Sequence, residues 1–317
     1  MNKRTLYCAL VVLALLAPLA VYPVFLMKVL CFGLFACAFN LLLGFGGLLS
    51  FGHAAFLGTG AYVTGYAMST WGLTPEIGLL VGTLASAALG LVYGALAVRR
   101  EGIYFAMVTL ALAQLMFFVY LQAPFTGGED GLQGIPRGQL LGVVDLQSNM
   151  AMYYLVLAIF SGGFLLIHRT IHSPFGQVLK AIRDNEARAI SLGYQVDRYK
   201  LLVFVISAAL AGLAGATKTL VFQLASLNDV HWLMSGEVVL MTLVGGMGTF
   251  LGPLVGAGVL VSVEHALSSG TLGAYVHVAM GMIFVLCVLL FRRGIVGEFP
   301  HLVSKLAKGI RRRLPMR

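Results

Sequence analysis

Residues 173–200 read SPFGQVLKAIRDNEARAISLGYQVDRYK, and this polar, basic segment lies between two long apolar stretches of the chain. Its basic residues are Lys180, Arg183, Arg188, Arg198 and Lys200. Because cytoplasmic loops of membrane proteins carry an excess of Lys and Arg, the segment is predicted to be a cytoplasmic loop. Its helix signals favour docking into a groove of a soluble partner, and the alternative is a short amphipathic helix that lies on lipid.

The composition indicates a lipid environment. Of the 317 residues, 59% are hydrophobic and 10% are charged, whereas about a quarter of the residues in a soluble domain are charged. The net charge of +9 is spread over short runs at the ends of apolar stretches, so we expect lipid contact and no nucleic-acid partner. The four cysteines lie in apolar stretches without metal-ligand spacing, so we expect no metal site.

The apolar stretches predict an all-α polytopic membrane protein with about ten transmembrane helices. Backbone groups in lipid must be satisfied within the segment, which favours helices. The predicted spans are residues 6–27, 29–49, 54–70, 76–98, 103–121, 150–168, 201–224, 231–248, 251–268 and 272–291. The first stretch is long enough to be a retained helix rather than a cleaved signal peptide.

Charge fixes the predicted orientation. All Lys and Arg residues except Lys28, Arg137 and Lys218 fall on one predicted side, which we assign to the cytoplasm together with both termini. The acidic loop 122–149 falls on the other side. The region 231–291 must then cross an odd number of times, and three crossings with a reversal at the glycine-rich residues 245–249 fit its length.

Small residues recur at four-residue spacing in several of these stretches, which predicts close helix packing. The pairs and triplet are Gly78/Gly82, Gly90/Gly94, Ala208/Gly212/Ala216 and Gly252/Gly256. We divide the chain into a transmembrane domain over 1–297 and a basic cytoplasmic tail over 298–317. In the tail, Leu302, Leu306 and Ile310 predict an amphipathic helix on the inner leaflet.

The 173–200 loop is predicted to form two short helices. Ser173 with Pro174 is a helix start signal, Asp184 or Asn185 is a second one, and Asp197 is expected to cap the next membrane helix. In the predicted docking segment, two apolar side chains lie on one side of the second helix, charged residues contact the rim of the partner's groove, and a glycine ends the helix. The predicted docking residues are Arg183, Asp184, Glu186, Arg188, Ala189, Leu192 and Gly193.

Polar residues within apolar stretches are candidates for lining a translocation path, because polar groups at this depth face protein or water. They are Asn40, Ser50, His53, Thr109 and Gln114. The alternative for His53 is a buried histidine satisfied by neighbouring backbone. Four other charged or titratable residues fall near predicted outer helix ends and are expected to be interfacial anchors: Lys218, Glu237, Glu264 and His265.

Signatures of catalysis are missing from the sequence. It has no Gly-Lys dipeptide, so it has no Walker A motif, and it has no HExxH or GxSxG motif. We therefore expect no enzyme activity and no catalytic residues in this chain. Energy for transport is expected to enter by contact with a partner.

Long motifs in order resemble the LivM-type permease subunits of branched-chain amino acid ABC importers. The resemblance covers residues 40–297 and is carried by GLLSFGHAAFLGTGAY, REGIYFAMVTLALAQ, TGGEDGL, SPFGQVLKAIRDNEARAISLGY, YKLLVFVISAALAGLAGA and LVGGMGTFLGPLVGA. It implies a fold like that of the vitamin B12 importer permease (type II), with ten helices and a coupling loop between the sixth and seventh. The family's coupling loop carries Glu-Ala-Ala and a following Gly, which Glu186-Ala187 and Gly193 match in part.

The resemblance further implies a heteromer in the bacterial inner membrane. Its partners would be a LivH-type sister permease, two cytoplasmic ATPase subunits that hold the ATP and Mg, and a periplasmic substrate-binding protein. This chain would bind no cofactor of its own. The implied function is import of Leu, Ile and Val by ATP-driven alternating access. The alternatives are the same machinery with urea, small amides or other amino acids as cargo, an ATP-independent carrier or channel, and a structural membrane subunit.

Overall fold

A computed structural model describes residues 13–140, 142, 144–268, 276–290 and 294–298. Most of these residues are helical. Residues 13–20 form α1, and the later helices are α2 (Pro23–Asn40), α3 (His53–Ser69), α4 (Pro75–Ala97), α5 (Ile103–Gln122), α6 (Asn149–His172), α7 (Pro174–Asp184), α8 (Glu186–Ser191), α9 (Val196–Phe222), α10 (Trp232–Gly245), α11 (Gly252–Ser268) and α12 (Val276–Leu290). A π-helical turn at Leu41–Phe45 continues α2.

Five of these helices are long and apolar enough to cross a membrane, as judged by length and composition. They are Pro23–Phe45, Pro75–Ala97, Ile103–Gln122, Asn149–His172 and Val196–Phe222, and shorter apolar helices follow in the C-terminal third. The predicted class, an all-α protein with several membrane-spanning helices, is confirmed at this level. Each of the ten predicted spans overlaps a helix, while the number of membrane crossings stays a prediction.

Helix α9 lies at the centre and packs against α2, α3 and α4. Small residues make this packing close. A Cβ atom on Gly60 of α3 would lie 2.1 Å from the carbonyl oxygen of Gly212 in α9, and one on Gly90 would lie 2.4 Å from the Cβ of Ala208. The predicted packing through small residues is therefore confirmed, and a larger side chain at these positions would force the backbones apart.

Helices α10 and α11 form a tight hairpin, which confirms the predicted reversal at the glycine-rich turn. A Cβ on Gly256 would lie 1.8 Å from the carbonyl oxygen of Met241, and Gly246 and Gly248 adopt positive φ angles of 120° and 73°. These conformations are accessible to glycine at little cost, so the sequence permits the chain to turn back directly.

Short strands tie the loop after α5 to the end of α9. Strand β1 (Leu132–Gln133) pairs antiparallel with β4 (Leu224–Ala225), and β2 (Gln139–Leu140) pairs with β3 (Val144–Asp145). Sequence analysis did not predict these strands, because two residues are too few to show alternation. We call the region formed by β1, β4 and the residues around them the strand end of the bundle.

Several sequence predictions fall outside the described residues. They concern residues 6–12 of the first span and the tail helix with Leu302, Leu306 and Ile310. The division into a membrane domain and a tail therefore stays a prediction.

Candidate functional site

The predicted docking loop folds as a small helical unit, α7 and α8, between α6 and α9. Ser173 caps α7 by accepting a hydrogen bond from the Gly176 backbone N–H at 3.3 Å, and Asn185 caps α8 by accepting one from the Arg188 N–H at 2.9 Å. Both predicted start signals are thus confirmed. Gly193 ends the unit with a φ of +87°. Asp197, in contrast, is not a cap, because α9 begins at Val196 and places it in the first turn.

A small apolar core holds the α7–α8 unit together. Its buried members are Ile182, Ala189 and Val196, one from each of α7, α8 and α9. Ala189 is only 3% exposed, so the prediction that it faces outward beside Leu192 is wrong. The most exposed large apolar side chains in this part of the loop are Ile190, 58% exposed, and Leu192, 70% exposed. Sequence analysis missed Ile190. This residue directly follows Ala189 and is rotated from it by only about 100° around the helix axis.

The charged residues of the unit divide into two groups. Asp184 and Arg188 are exposed, as expected for rim residues. Glu186 instead turns toward the base of α9, where it forms a 2.5 Å ion pair with the buried Lys200. Arg183 reaches the end of α2 and donates from Nη1 to the carbonyl oxygen of Gly44 at 2.6 Å. Two predicted rim residues therefore fasten the unit to membrane helices.

Asn40, predicted to line a path, braces the α10–α11 turn. Its amide nitrogen donates to the Thr249 carbonyl oxygen at 2.9 Å, and its amide oxygen accepts from the Gly248 N–H at 2.9 Å. The side chain is almost fully buried. Both ends of the amide are used, so Asn40 satisfies backbone groups of the turn inside the subunit.

Ser50 and Thr109 stabilise the non-helical segment between the π-helical turn and α3. The Ser50 hydroxyl accepts from the Gly52 N–H at 3.1 Å, and the Thr109 hydroxyl of α5 accepts from the Phe51 N–H at 3.1 Å. Both residues are fully buried. These contacts hold the break before α3 against α5.

His53 begins α3 and lies in an aromatic cage of Phe39, Phe56 and Phe204, with no exposed surface. Its Nε2 lies 2.9 Å from the hydroxyl of Ser207. Because Ser207 donates its one hydroxyl hydrogen to the Ala38 carbonyl at 2.6 Å, the serine oxygen accepts from His53 Nε2. His53 therefore links α2, α3 and α9 inside the subunit.

Gln114 is half-buried on α5, the one predicted path residue with an appreciable exposed surface. The same helix has several exposed large apolar side chains: Ile103, Tyr104, Met107, Leu115, Phe118 and Val119. The structure thus places four of the five candidates inside the subunit. Their role in a path stays a prediction.

Two of the expected interfacial anchors form ion pairs within the chain. Lys218 pairs with Asp229, whose side chain is 3% exposed, and Glu264 pairs with Lys28 at 2.9 Å. Sequence analysis missed both partners. Lys218 lies near the end of α9, and Asp229 follows in the turn after this helix, 11 residues further on; that proximity in the sequence was the available signal.

Apolar helices joined by a folded polar unit define a multi-pass membrane protein. The chain belongs to the family of permease components of branched-chain amino acid transport systems, whose pattern matches residues 23–291. The resemblance to LivM-type permeases is thereby confirmed.

Individual relatives agree with this assignment. The chain is 29% identical over 250 residues to the high-affinity branched-chain amino acid transport system permease protein LivM of Salmonella typhimurium, a match that covers 70% of this chain and 58% of the relative. It is 27% identical over 304 residues to the ribose import permease protein RbsC of Bacillus subtilis, covering 91% of each chain. It is 30% identical over 129 residues to LivH of Salmonella typhimurium, covering 40% of this chain and 41% of that one.

The chain spans less than two thirds of the length of the LivM relatives, with 58% covered. No solved structure matches the chain.

Proposed function

We propose that this chain is the transmembrane subunit of a binding-protein-dependent ABC importer, with about ten membrane crossings and the type II permease fold. The observation that carries the proposal is the α7–α8 unit, which a permease of this family needs in order to receive force from an ATPase. The unit presents Ile190 and Leu192 outward beside the exposed charges Asp184 and Arg188. Apolar anchors surrounded by a polar rim are the usual composition of a docking site.

The proposed complex contains a LivH-type sister permease, two ATPase subunits that bind ATP and Mg, and a periplasmic binding protein. Similarity to both LivM and LivH supports the pairing of two related permeases. In the proposed orientation the α7–α8 unit and both termini face the cytoplasm of a bacterium. Closure of the ATPase dimer on ATP would move the α7–α8 units and switch the side to which the path opens.

The docking proposal is tested on the purified complex. Ile190→Asp and Leu192→Asp each place a charge in the proposed apolar contact, and Gln177→Glu adds a charge at an exposed position of α7. We expect each aspartate variant to lower the affinity for the ATPase subunits by about 30-fold, since losing a buried anchor costs about 2 kcal/mol. Gln177→Glu should retain them. Full co-purification of the ATPases with both aspartate variants would contradict the docking proposal.

We propose branched-chain amino acids as the cargo, supported by the family and the LivM relatives. The ribose permease match covers 91% of both chains and favours a sugar as the second candidate. Uptake of labelled leucine and labelled ribose by proteoliposomes that contain the complete complex separates the two. Because the binding protein selects cargo in the proposed machine, its affinities for leucine and ribose should predict the uptake result.

A further inference from the structure

Three chain segments meet where α2 ends. The first is the π-helical turn with the residues after it, the second is α7 through Arg183, and the third is the α10–α11 turn. The bonds that join them span 139 residues between Arg183 and Gly44 and 208 residues between Gly248 and Asn40. These bonds therefore join elements that are distant along the chain.

Arg183 is the link between α7 and α2. Its Nε and Nη2 donate to the Asp184 carboxylate at 3.2 and 3.0 Å, which orients the guanidinium so that Nη1 reaches the Gly44 carbonyl oxygen. The last carbonyl groups of a helix lack intrahelical partners and carry partial negative charge, so a cation is a favourable partner there. The bond is charge-assisted, yet it is a single bond at a partly exposed site.

Glycines make room for this link. Gly47 has a φ of +72°, and a Cβ there would lie 2.8 Å from the Arg183 Cγ atom. The aliphatic part of the arginine therefore lies directly on the backbone that follows α2. The π-helical turn sits at the same place, and such turns often mark functional positions in helices.

Asn40 lies one helical turn before Gly44 and joins the end of α2 to the α10–α11 turn. Its amide holds both Gly248 and Thr249, and a Cβ on Gly44 would lie 2.6 Å from the Gly248 nitrogen. The end of α2 and the α10–α11 turn are thus in backbone contact. A displacement of one moves the other, because there is no compressible space between them.

We infer that Arg183 and Asn40 are positioning residues of a transmission joint, which passes movement of the α7–α8 unit to α2 and to the α10–α11 hairpin. The inference rests on the proposed function and extends it by assigning the route inside this subunit. Arg183 carries the step from α7 to α2, and Asn40 carries the step from α2 to the hairpin. The proposed apolar docking anchors, Ile190 and Leu192, are not part of the joint. Asp184 belongs to the proposed docking rim and also orients Arg183, so ATPase binding is measured for every variant.

The test measures uptake per ATP hydrolysed by the complete complex in proteoliposomes. Arg183→Gln removes the charged donor, Arg183→Lys keeps a positive donor without the guanidinium fork, and Asn40→Ala removes the brace. Arg169→Gln is the matched control, because it removes a basic charge from an exposed position on the last turn of α6. Each sample is normalised to the amount of assembled complex and to ATPase content.

We expect Arg183→Gln and Asn40→Ala to keep the ATPases bound and hydrolysing while uptake per ATP falls about threefold to thirtyfold, the range typical of coupling mutations. Arg183→Lys should restore part of the ratio, and Arg169→Gln should match the unmodified complex. In the double variant Arg183→Gln, Asn40→Ala, uptake per ATP should be at most about twofold lower than in whichever single variant has the lower ratio. The effects should not add in full, because both residues act in one chain of contacts.

An unchanged uptake-to-hydrolysis ratio in Arg183→Gln and Asn40→Ala would overturn the inference. A loss of uptake that merely follows loss of assembled complex would overturn it as well, since the residues would then be structural. Failure of the unmodified complex to bind ATPases or to transport would instead reject the proposed function, which distinguishes the two conclusions.

Discussion

The two ends of the helix bundle are closed by different kinds of contact. At the α7–α8 end, single side-chain bonds join separate elements, as between Arg183 and Gly44 and between Glu186 and Lys200. At the strand end, β1 pairs with β4 through the backbone, and Asp229 is buried against Lys218. The Arg183–Gly44 bond is a single bond at a partly exposed site and can exchange at low cost, whereas backbone pairing and ion pairs with a buried member cannot. The Glu186–Lys200 pair also has a buried member, Lys200, so the contrast between the ends rests on Arg183 and on the backbone pairing of β1 with β4. The comparison indicates a rearranging end and a persistent end.

Arg137 adds to the persistent character of the strand end. It donates to the Val221 carbonyl oxygen at 2.8 Å and to the Asn149 side chain at 2.9 Å, which joins the loop after α5 to α9 and α6. Burial lowers the pKa of the Arg137 guanidinium, and Tyr22 partly offsets this effect. An arginine nevertheless stays protonated at neutral pH, so its bonds do not depend on physiological pH.

The largest expected effect tests whether the strand end is a rigid body. Lys218→Met leaves Asp229 as an unpaired charge with 3% of its side chain exposed, which we expect to cost about 3 to 5 kcal/mol of stability. The matched control is Lys28→Met, because its pair with Glu264 is 25% and 40% exposed and should contribute about 0 to 1 kcal/mol. Thermal unfolding of the purified complexes measures both. Equal effects would show that burial does not distinguish the two pairs.

A pair of glycines sharpens the comparison at the level of the backbone. Gly131 at the strand end and Gly193 at the α7–α8 end both have positive φ, but a Cβ on Gly131 would lie 2.2 Å from the Ala225 carbonyl oxygen, whereas Gly193 has nothing within 4 Å. Gly131→Ala should cost about 2 to 4 kcal/mol from strain and overlap. Gly193→Ala should cost about 1 to 2 kcal/mol from strain alone. Unfolding temperatures that rank the variants the other way would contradict the comparison.

Sequence reasoning predicted the local features of the α7–α8 end. It missed the short strands of the strand end and the contacts between elements that are distant along the chain. The caps Ser173 and Asn185 were predicted because a helix start depends on neighbouring residues. The Arg183–Gly44 bond was not predicted, since it joins residues 139 apart and depends on how α2 ends. The outward side of α8 was assigned wrongly at Ala189 because a six-residue helix has too little periodicity to fix its buried face.

The candidate path was the least predictable feature. Polar residues in an apolar stretch indicate a site that lipid does not cover, but they do not distinguish a channel wall from internal packing. His53 and Asn40 share this signal, and the structure places both inside the subunit, one beside Ser207 and the other beside the α10–α11 turn. The deciding information is the arrangement of three helices, which is a property of the whole fold.

Glu186→Gln is expected to change stability much less than Lys218→Met does, and the two variants are expected to differ in their effect on transport. The glutamine oxygen can still accept from Lys200, and Glu186 is 30% exposed, so the variant should lose about 1 to 2 kcal/mol. The bond fastens α8 to the base of α9, in the end of the molecule that we expect to rearrange. Uptake per ATP hydrolysed should therefore fall by more than the amount of assembled complex does.

For Lys218→Met we expect the reverse pattern. Uptake should fall in step with the amount of assembled complex, and uptake per ATP hydrolysed should be unchanged for the complexes that remain. Parallel measurements of complex yield, ATP hydrolysis and uptake on both variants decide the matter. If Lys218→Met lowered the ratio while Glu186→Gln lowered only the yield, the strand end would be the moving part and the assignment of the two ends would have to be exchanged.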